Sequence, residues 1–155
     1  MDTKALAEWA EIIAAFVVVI SLFYVGYQVK QNTDAIEADT LNSVVSGLIS
    51  TWDIPLDRSI AELMVRAKKD PDSLDDIDRE QFLGVWAKQA ANYEAAWLHK
   101  ESGLLSTNYW ATLIPHQCYI MGNKTAIKIW FEWKPALTKG YWDEITHKCE
   151  LIDPR

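Results

Sequence analysis

Residues 12–27 read IIAAFVVVISLFYVGY, sixteen positions without a charge and with Ser21 as the one small polar interruption. No other feature constrains the chain so strongly. An apolar helix of four or more turns must be enclosed by protein or by lipid, and a chain of 155 residues has little protein with which to surround it. Trp9 and Ala10 extend the run backward past Glu11, and Gln28 and Val29 carry it forward to Lys30. At about 1.5 Å of rise per residue, the stretch from Trp9 to Val29 matches the thickness of a bilayer's hydrocarbon layer.

Within this stretch Ile12, Phe16, Ile20 and Phe23 supply bulk for lipid contact. Trp9 at one end and Tyr24 and Tyr27 at the other suit the interfacial belts, and Lys30 can snorkel. A signal peptide and a core helix both fit less well. A cleaved signal peptide needs a basic start and a small-residue cleavage site, whereas Asp2, Lys4, Glu8 and Glu11 lead the run and bulky residues follow it. A buried core helix would show one polar face, and this run has none. The expectation is a single transmembrane anchor over residues 1–33 and a helical body over residues 34–155. Lys4 and Lys30 nearly balance across the span. Because Lys30 lies nearer the membrane edge, a short outside N-terminus and a cytoplasmic body are expected.

Beyond the anchor the periodicity is helical and no strand alternation occurs, so the fold class is all-α: one transmembrane helix followed by a compact multi-helix bundle. No Gly or Pro falls between Tyr27 and Ser46, so the anchor either continues or restarts at a cap on Asn32 or Thr33. Leu41, Val44, Val45, Leu48, Ile49 and Trp52 form an apolar stripe that Pro55 ends. Ser59 and Glu62 have capping-box form ahead of Ile60, Leu63, Met64 and Ala67. A long helix spans about Leu74 to Ser102, capped at Ser73, with Phe82, Trp86, Ala90, Tyr93 and Trp97 on its stripe and a Schellman stop at Gly103. Ser106 or Thr107 opens the next helix, which Pro115 should kink or break. A sixth carries Ile127, Trp130 and Phe131, and a last one carries Trp142, Ile145 and Cys149.

The phrase SLFYVGYQVKQNT at residues 21–33 resembles the opening of a group of small uncharacterised bacterial membrane proteins. These join one N-terminal membrane helix, ending in Tyr-x-x-x-Gln-Val-basic-Gln-Asn-Thr, to a helical body of similar length. The body is similar in Asp70-Pro71, Phe82, Glu94, Gly103, Trp110 and Trp130, so the resemblance covers most of the chain. It implies a bacterial source and an integral membrane protein, and the expected location is the inner (cytoplasmic) membrane. It imports no reaction.

Candidate chemistry is sparse. A net charge of −7, and of −6 counted from Gln31 onward, argues against nucleic acid as a partner and against adhesion to anionic lipid by charge alone. His116-x-Cys118 and His147-x-Cys149 could offer zinc ligands, but i, i+2 spacing on a helix points the two side chains of each unit far apart. Neither a metal nor another cofactor is expected. Cys118 and Cys149 read as small buried apolar residues, or as a disulfide should the body face an oxidising compartment. The six acids between Asp70 and Glu80 lack the glycine of a calcium loop and read as a solvated turn and a charged helix start. Glu94, on the apolar side of the long helix with His99 nearby, is the candidate buried polar group. It would bond an indole, a Tyr hydroxyl or a loop amide, or else handle a proton.

The eight tryptophans are too many for every one to be enclosed, and Trp130, Phe131, Trp133 and Trp142 are the expected exposed partner or ligand patch. Ala10, Ala14, Ser21 and Gly26 permit close helix approach in the membrane. With no nucleophile elbow, catalytic triad order or phosphate-binding loop, no enzymatic activity is expected. The expected role is an accessory or scaffolding subunit of a larger bacterial membrane complex, respiratory or photosynthetic ones being examples. Its partners would be the bilayer, other membrane subunits and a second copy of itself. The alternative is a membrane-tethered sensory module binding a small apolar ligand.

Overall fold

The computed structural model describes residues 3–53 and 57–153, and the fold is all-α. In chain order the helices are α1 (Thr3–Trp52), α2 (Arg58–Lys69), α3 (Asp76–Glu101), α4 (Thr107–Met121), α5 (Lys124–Glu132) and α6 (Lys139–Lys148). Short 3-10 turns at Pro71–Ser73 and Lys134–Ala136 precede α3 and α6. The chain divides into two compact units, Met1–Asp39 and Thr40–Arg155.

In the first unit every residue from 8 to 39 is exposed. The most apolar 18-residue window of α1 has a mean hydropathy of 2.2, and none of it is buried within the protein. By length and composition α1 can cross a membrane. No fresh start occurs at Asn32 or Thr33. The Thr33 hydroxyl instead donates back to the Val29 carbonyl at 3.0 Å, and with no Gly or Pro nearby nothing interrupts the backbone ladder.

The second unit begins where burial begins, at Thr40. Thr40, Val44, Leu48 and Thr51 point inward, while Leu41, Ile49 and Trp52 stay exposed. The expected stripe is therefore rotated. The Asn92 side chain donates to the Gly47 carbonyl at 3.0 Å and fixes that rotation, and a Cβ on Gly47 would stand only 3.2 Å from Asn92 Oδ1. Pro55 lies outside the described residues.

α3 is the central element. It buries Phe82, Val85, Trp86, Gln89, Ala90, Tyr93, Ala96 and Trp97, and it packs against α2 and α4, while α4 meets α5 and α6. The helix starts differ from expectation in two places. Asp57, not Ser59, caps α2, its carboxylate accepting from the Ser59 and Ile60 amides, and Asp75, not Ser73, caps α3 by accepting from the Asp78 amide. In both places the residue directly before the helix takes the cap, and its carboxylate carries a full charge to the positive end of the helix dipole. Ser106 caps α4 and Asn123 caps α5.

Pro115 neither breaks nor ends α4, which runs through it to Met121. Pro115 and Ala111, whose carbonyl loses its helical donor, both lie on the exposed side, where water can replace the bond. α3 stops as expected. Gly103 has φ of 77°, the Leu104 amide reaches the His99 carbonyl at 2.9 Å, and the Gly103 amide reaches that of Lys100 at 3.0 Å. The same pattern ends α6 at Glu150, which adopts φ of 51° without being glycine.

Candidate functional site

The polar side chains inside the body collect where α3, α4 and α6 meet. Glu144 on α6 accepts from Trp110 Nε1 at 2.7 Å, from Trp97 Nε1 at 2.9 Å and from Lys100 Nζ at 2.9 Å. The Lys100 ammonium also sits over both indole rings, 5.3 Å and 5.8 Å from their centroids. Burial opposes ionisation of Glu144, but the hydrogen bonds from Lys100, Trp110 and Trp97 outweigh it and hold the carboxyl below its ordinary range. One carboxylate thus joins three helices. The sequence signal for it was weak, since Glu144 lies on a short helix among charged neighbours.

Glu94, the expected buried polar group, has a different task. Its carboxylate accepts from the Thr138 amide at 2.5 Å, so it holds the chain where α6 begins. His99 is half-buried in the last turn of α3, and its carbonyl accepts the Leu104 and Leu105 amides that close the helix.

A second polar group joins α3 to α4. Tyr93 is buried and its hydroxyl meets His116 Nδ1, while Trp52 lies edge-on to the imidazole with centroids 5.2 Å apart. Burial pushes the Tyr93 phenol up to about 12 and lowers His116, which leaves a protonated phenol facing a neutral imidazole. The phenol then donates to Nδ1. One residue on from His116, the fully buried Gln117 amide donates to the Tyr141 hydroxyl, whose pKa burial also raises. Trp86 Nε1, Gln89 Oε1 and Gln117 Oε1 are buried without a hydrogen-bond partner in the protein.

The expected exposed aromatic patch is not exposed. Trp130 is fully buried and Trp142 nearly so, while Phe131 and Trp133 are half-buried. Trp130 stacks parallel to Trp142 at 6.4 Å, Phe131 stands edge-on to Trp142 at 5.6 Å, and Trp133 packs against Trp86 at 5.5 Å. The outer face of Trp142 is covered by Lys134, whose ammonium lies 4.0 Å from its centroid. Folding α5 and α6 back onto α3 allows more tryptophan to be enclosed than the body's size suggested, because rings in edge and stacked contact enclose one another.

Cys118 and Cys149 form a disulfide that ties α4 to the end of α6, with Cα atoms 5.1 Å apart. They are therefore not two independent apolar residues. His116 turns toward Tyr93 while Cys118 bonds to Cys149, so the first His-x-Cys unit directs its two side chains to different neighbours. Among the described residues no group of three or more His, Cys, Asp or Glu could hold a metal.

The run of acids is spent on helix ends. Asp75 caps α3, and Asp78 pairs with Arg66 through both oxygens at 2.5 and 2.8 Å, linking α3 to α2. The anchor residues Trp9, Ile12, Phe16, Ile20, Phe23, Tyr24, Tyr27 and Lys30 are all exposed, as are Ala10, Ala14, Ser21 and Gly26. Within that stretch the Ser21 hydroxyl satisfies itself on the Val17 carbonyl at 2.7 Å.

The architecture defines a class: an all-α protein with one N-terminal helix able to cross a membrane and a body stitched by buried polar bonds and one disulfide. Comparison of the chain with protein families, with curated proteins and with solved structures returns no match in any of the three.

Proposed function

We propose that this chain is a membrane-anchored, non-enzymatic accessory or scaffolding subunit of a larger membrane assembly. The observation that carries the proposal is the apolar surface of α1. From Trp9 to Val29 it turns large side chains outward on every face, Phe23 being 77% exposed and Phe16 67%. Only lipid tails or neighbouring apolar helices can cover such a surface.

The body supports the same reading. The interior groups with displaced protonation, Glu144, Tyr93, Tyr141 and His116, each meet a side chain on another helix. They serve the fold by joining one helix to the next. The phrase at residues 21–33 supports a bacterial inner membrane as the setting. Ala10, Ala14, Ser21 and Gly26 supply the small side chains on which a second copy or a partner span could approach closely.

Extraction of the full chain in a mild detergent, followed by sizing and gel analysis, tests this function. A particle much larger than one chain in its micelle, with partner chains in fixed ratio, is the expected result. A strictly monomeric particle with no co-purifying membrane protein overturns it.

A further inference from the structure

We propose that the helical body lies on the oxidising side of the membrane, outside the reducing cytoplasm, with the residues before the span left inside. The inference rests on the reading of α1 as a membrane span and goes beyond it by fixing the sidedness.

The chain has two cysteines, and they are bonded to each other across a sequence separation of 31. The placement that brings them together is set by other bonds. Gln117, next to Cys118, is held by Tyr141, and Glu144, five residues before Cys149, is held by Trp110 on α4. Four side chains of α4 and α6 therefore hold these helices in register alongside the sulfurs. The 5.1 Å between Cα atoms lies within the range a disulfide spans without backbone movement. Cys149 is packed against the hydrophobic core, and Cys118 is half-buried. Both cysteines are half-buried, and a pair held between two docked helices in this way is a structural bridge. Structural bridges form and persist in oxidising compartments, whereas cytoplasmic thiols are kept reduced.

A single span fixes one side for everything that follows it, so the bridge assigns a side to the whole body. The flanking charges offer no opposition. Lys30 alone follows the span and Lys4 alone precedes it, while residues 31–53 carry Asp34, Glu37, Asp39 and Asp53 and no Lys or Arg. Basic residues hold a flank in the cytoplasm and acidic ones contribute little, so this segment carries no retention signal. The cytoplasmic expectation rested on Lys30 lying closer to the membrane edge, a difference of position within an even count. The bridge outweighs it. The assembly partner of this body then presents its own extramembrane part on the oxidising side.

The test uses the full-length chain in intact spheroplasts. Free thiols are alkylated with N-ethylmaleimide, and the chain is then denatured, reduced and treated with maleimide-polyethylene glycol. Two polymers should add per chain after reduction and none without it, with C118S/C149S as the unshifted control. Protease added outside should remove the body while a cytoplasmic marker protein survives. The proposal is overturned if the cysteines are already alkylated before reduction, or if the body resists protease until the spheroplasts are lysed. A chain that stays in carbonate-washed membranes with a protected body overturns the sidedness alone. One that washes out overturns the span and the sidedness together.

Discussion

Glu144 takes two indole N–H donors and one ammonium, and the cost of losing it follows from what is left behind. Glu144→Ala strands the indoles of two buried tryptophans, Trp97 and Trp110, and should destabilise the body by about 3 kcal/mol. Glu144→Gln keeps an acceptor but loses the charge, and should cost roughly half as much. Thermal unfolding in detergent, followed by tryptophan emission, reads both, and equal losses for the two substitutions would contradict the charge-assisted bond. His116 gives the opposite protonation behaviour to a paired cation. Its folded pKa lies below the ordinary 6.5 because burial disfavours the imidazolium. The unfolded chain therefore binds the proton first, and stability falls as pH drops below about 6.5. Glu144, held below 4.5, adds a second loss at lower pH as its carboxylate is protonated. His116→Gln should flatten the upper limb of a stability–pH curve and leave the lower limb in place. At this scale the sequence was legible only in part. That a carboxylate would meet an indole or a loop amide was foreseeable from Glu94 on an apolar stripe, and Glu94 does hold the Thr138 amide. Which carboxylate would meet the indoles was not, because that depends on how α6 docks, and no periodicity on a ten-residue helix encodes docking.

The elements show where local chemistry decides and where packing does. Helix ends marked by Gly103 and Ser106 fall where the residues announce them, since caps and left-handed stops are settled within a few positions. Pro115 misleads because its cost depends on whether the carbonyl it orphans faces water, which is a property of the packed bundle. The rotation of residues 40–52, set by Asn92 against Gly47, is non-local for the same reason. The disulfide is the other long-range constraint, and its contribution can be measured. Closing a loop with a separation of 31 removes unfolded-state entropy worth about 3–4 kcal/mol on the chain-entropy account. Reduction of the wild-type chain should lower its thermal midpoint clearly, while C118S/C149S should start at the lower value and not respond to reductant. A double variant as stable as the oxidised parent would show that the bridge only records a proximity that other bonds enforce.

On the scale of the whole molecule, folding and membrane residence are separable. Every residue from 8 to 39 is exposed, so protein does not enclose the apolar stretch. A core-helix reading of the same stretch would make the two inseparable, because charge placed there would unfold the protein. The two readings therefore diverge for a pair of arginines in mid-span. Val18 and Val19 are 58% and 48% exposed, and replacing both with arginine costs about 6 kcal/mol of insertion free energy on the translocon scale. V18R/V19R should move most of the chain from the carbonate-resistant pellet to the supernatant, whereas V18L/V19L should leave it in the pellet. The tryptophan emission of the displaced variant should stay close to that of the parent, with Trp9 alone leaving the membrane interface, since Trp86, Trp97, Trp110, Trp130 and Trp142 keep every neighbour the structure gives them. Retention of the double-arginine chain in the pellet would refute lipid as the partner of this surface. Release together with a red-shifted, unfolded emission spectrum would show instead that the stretch belongs to the core.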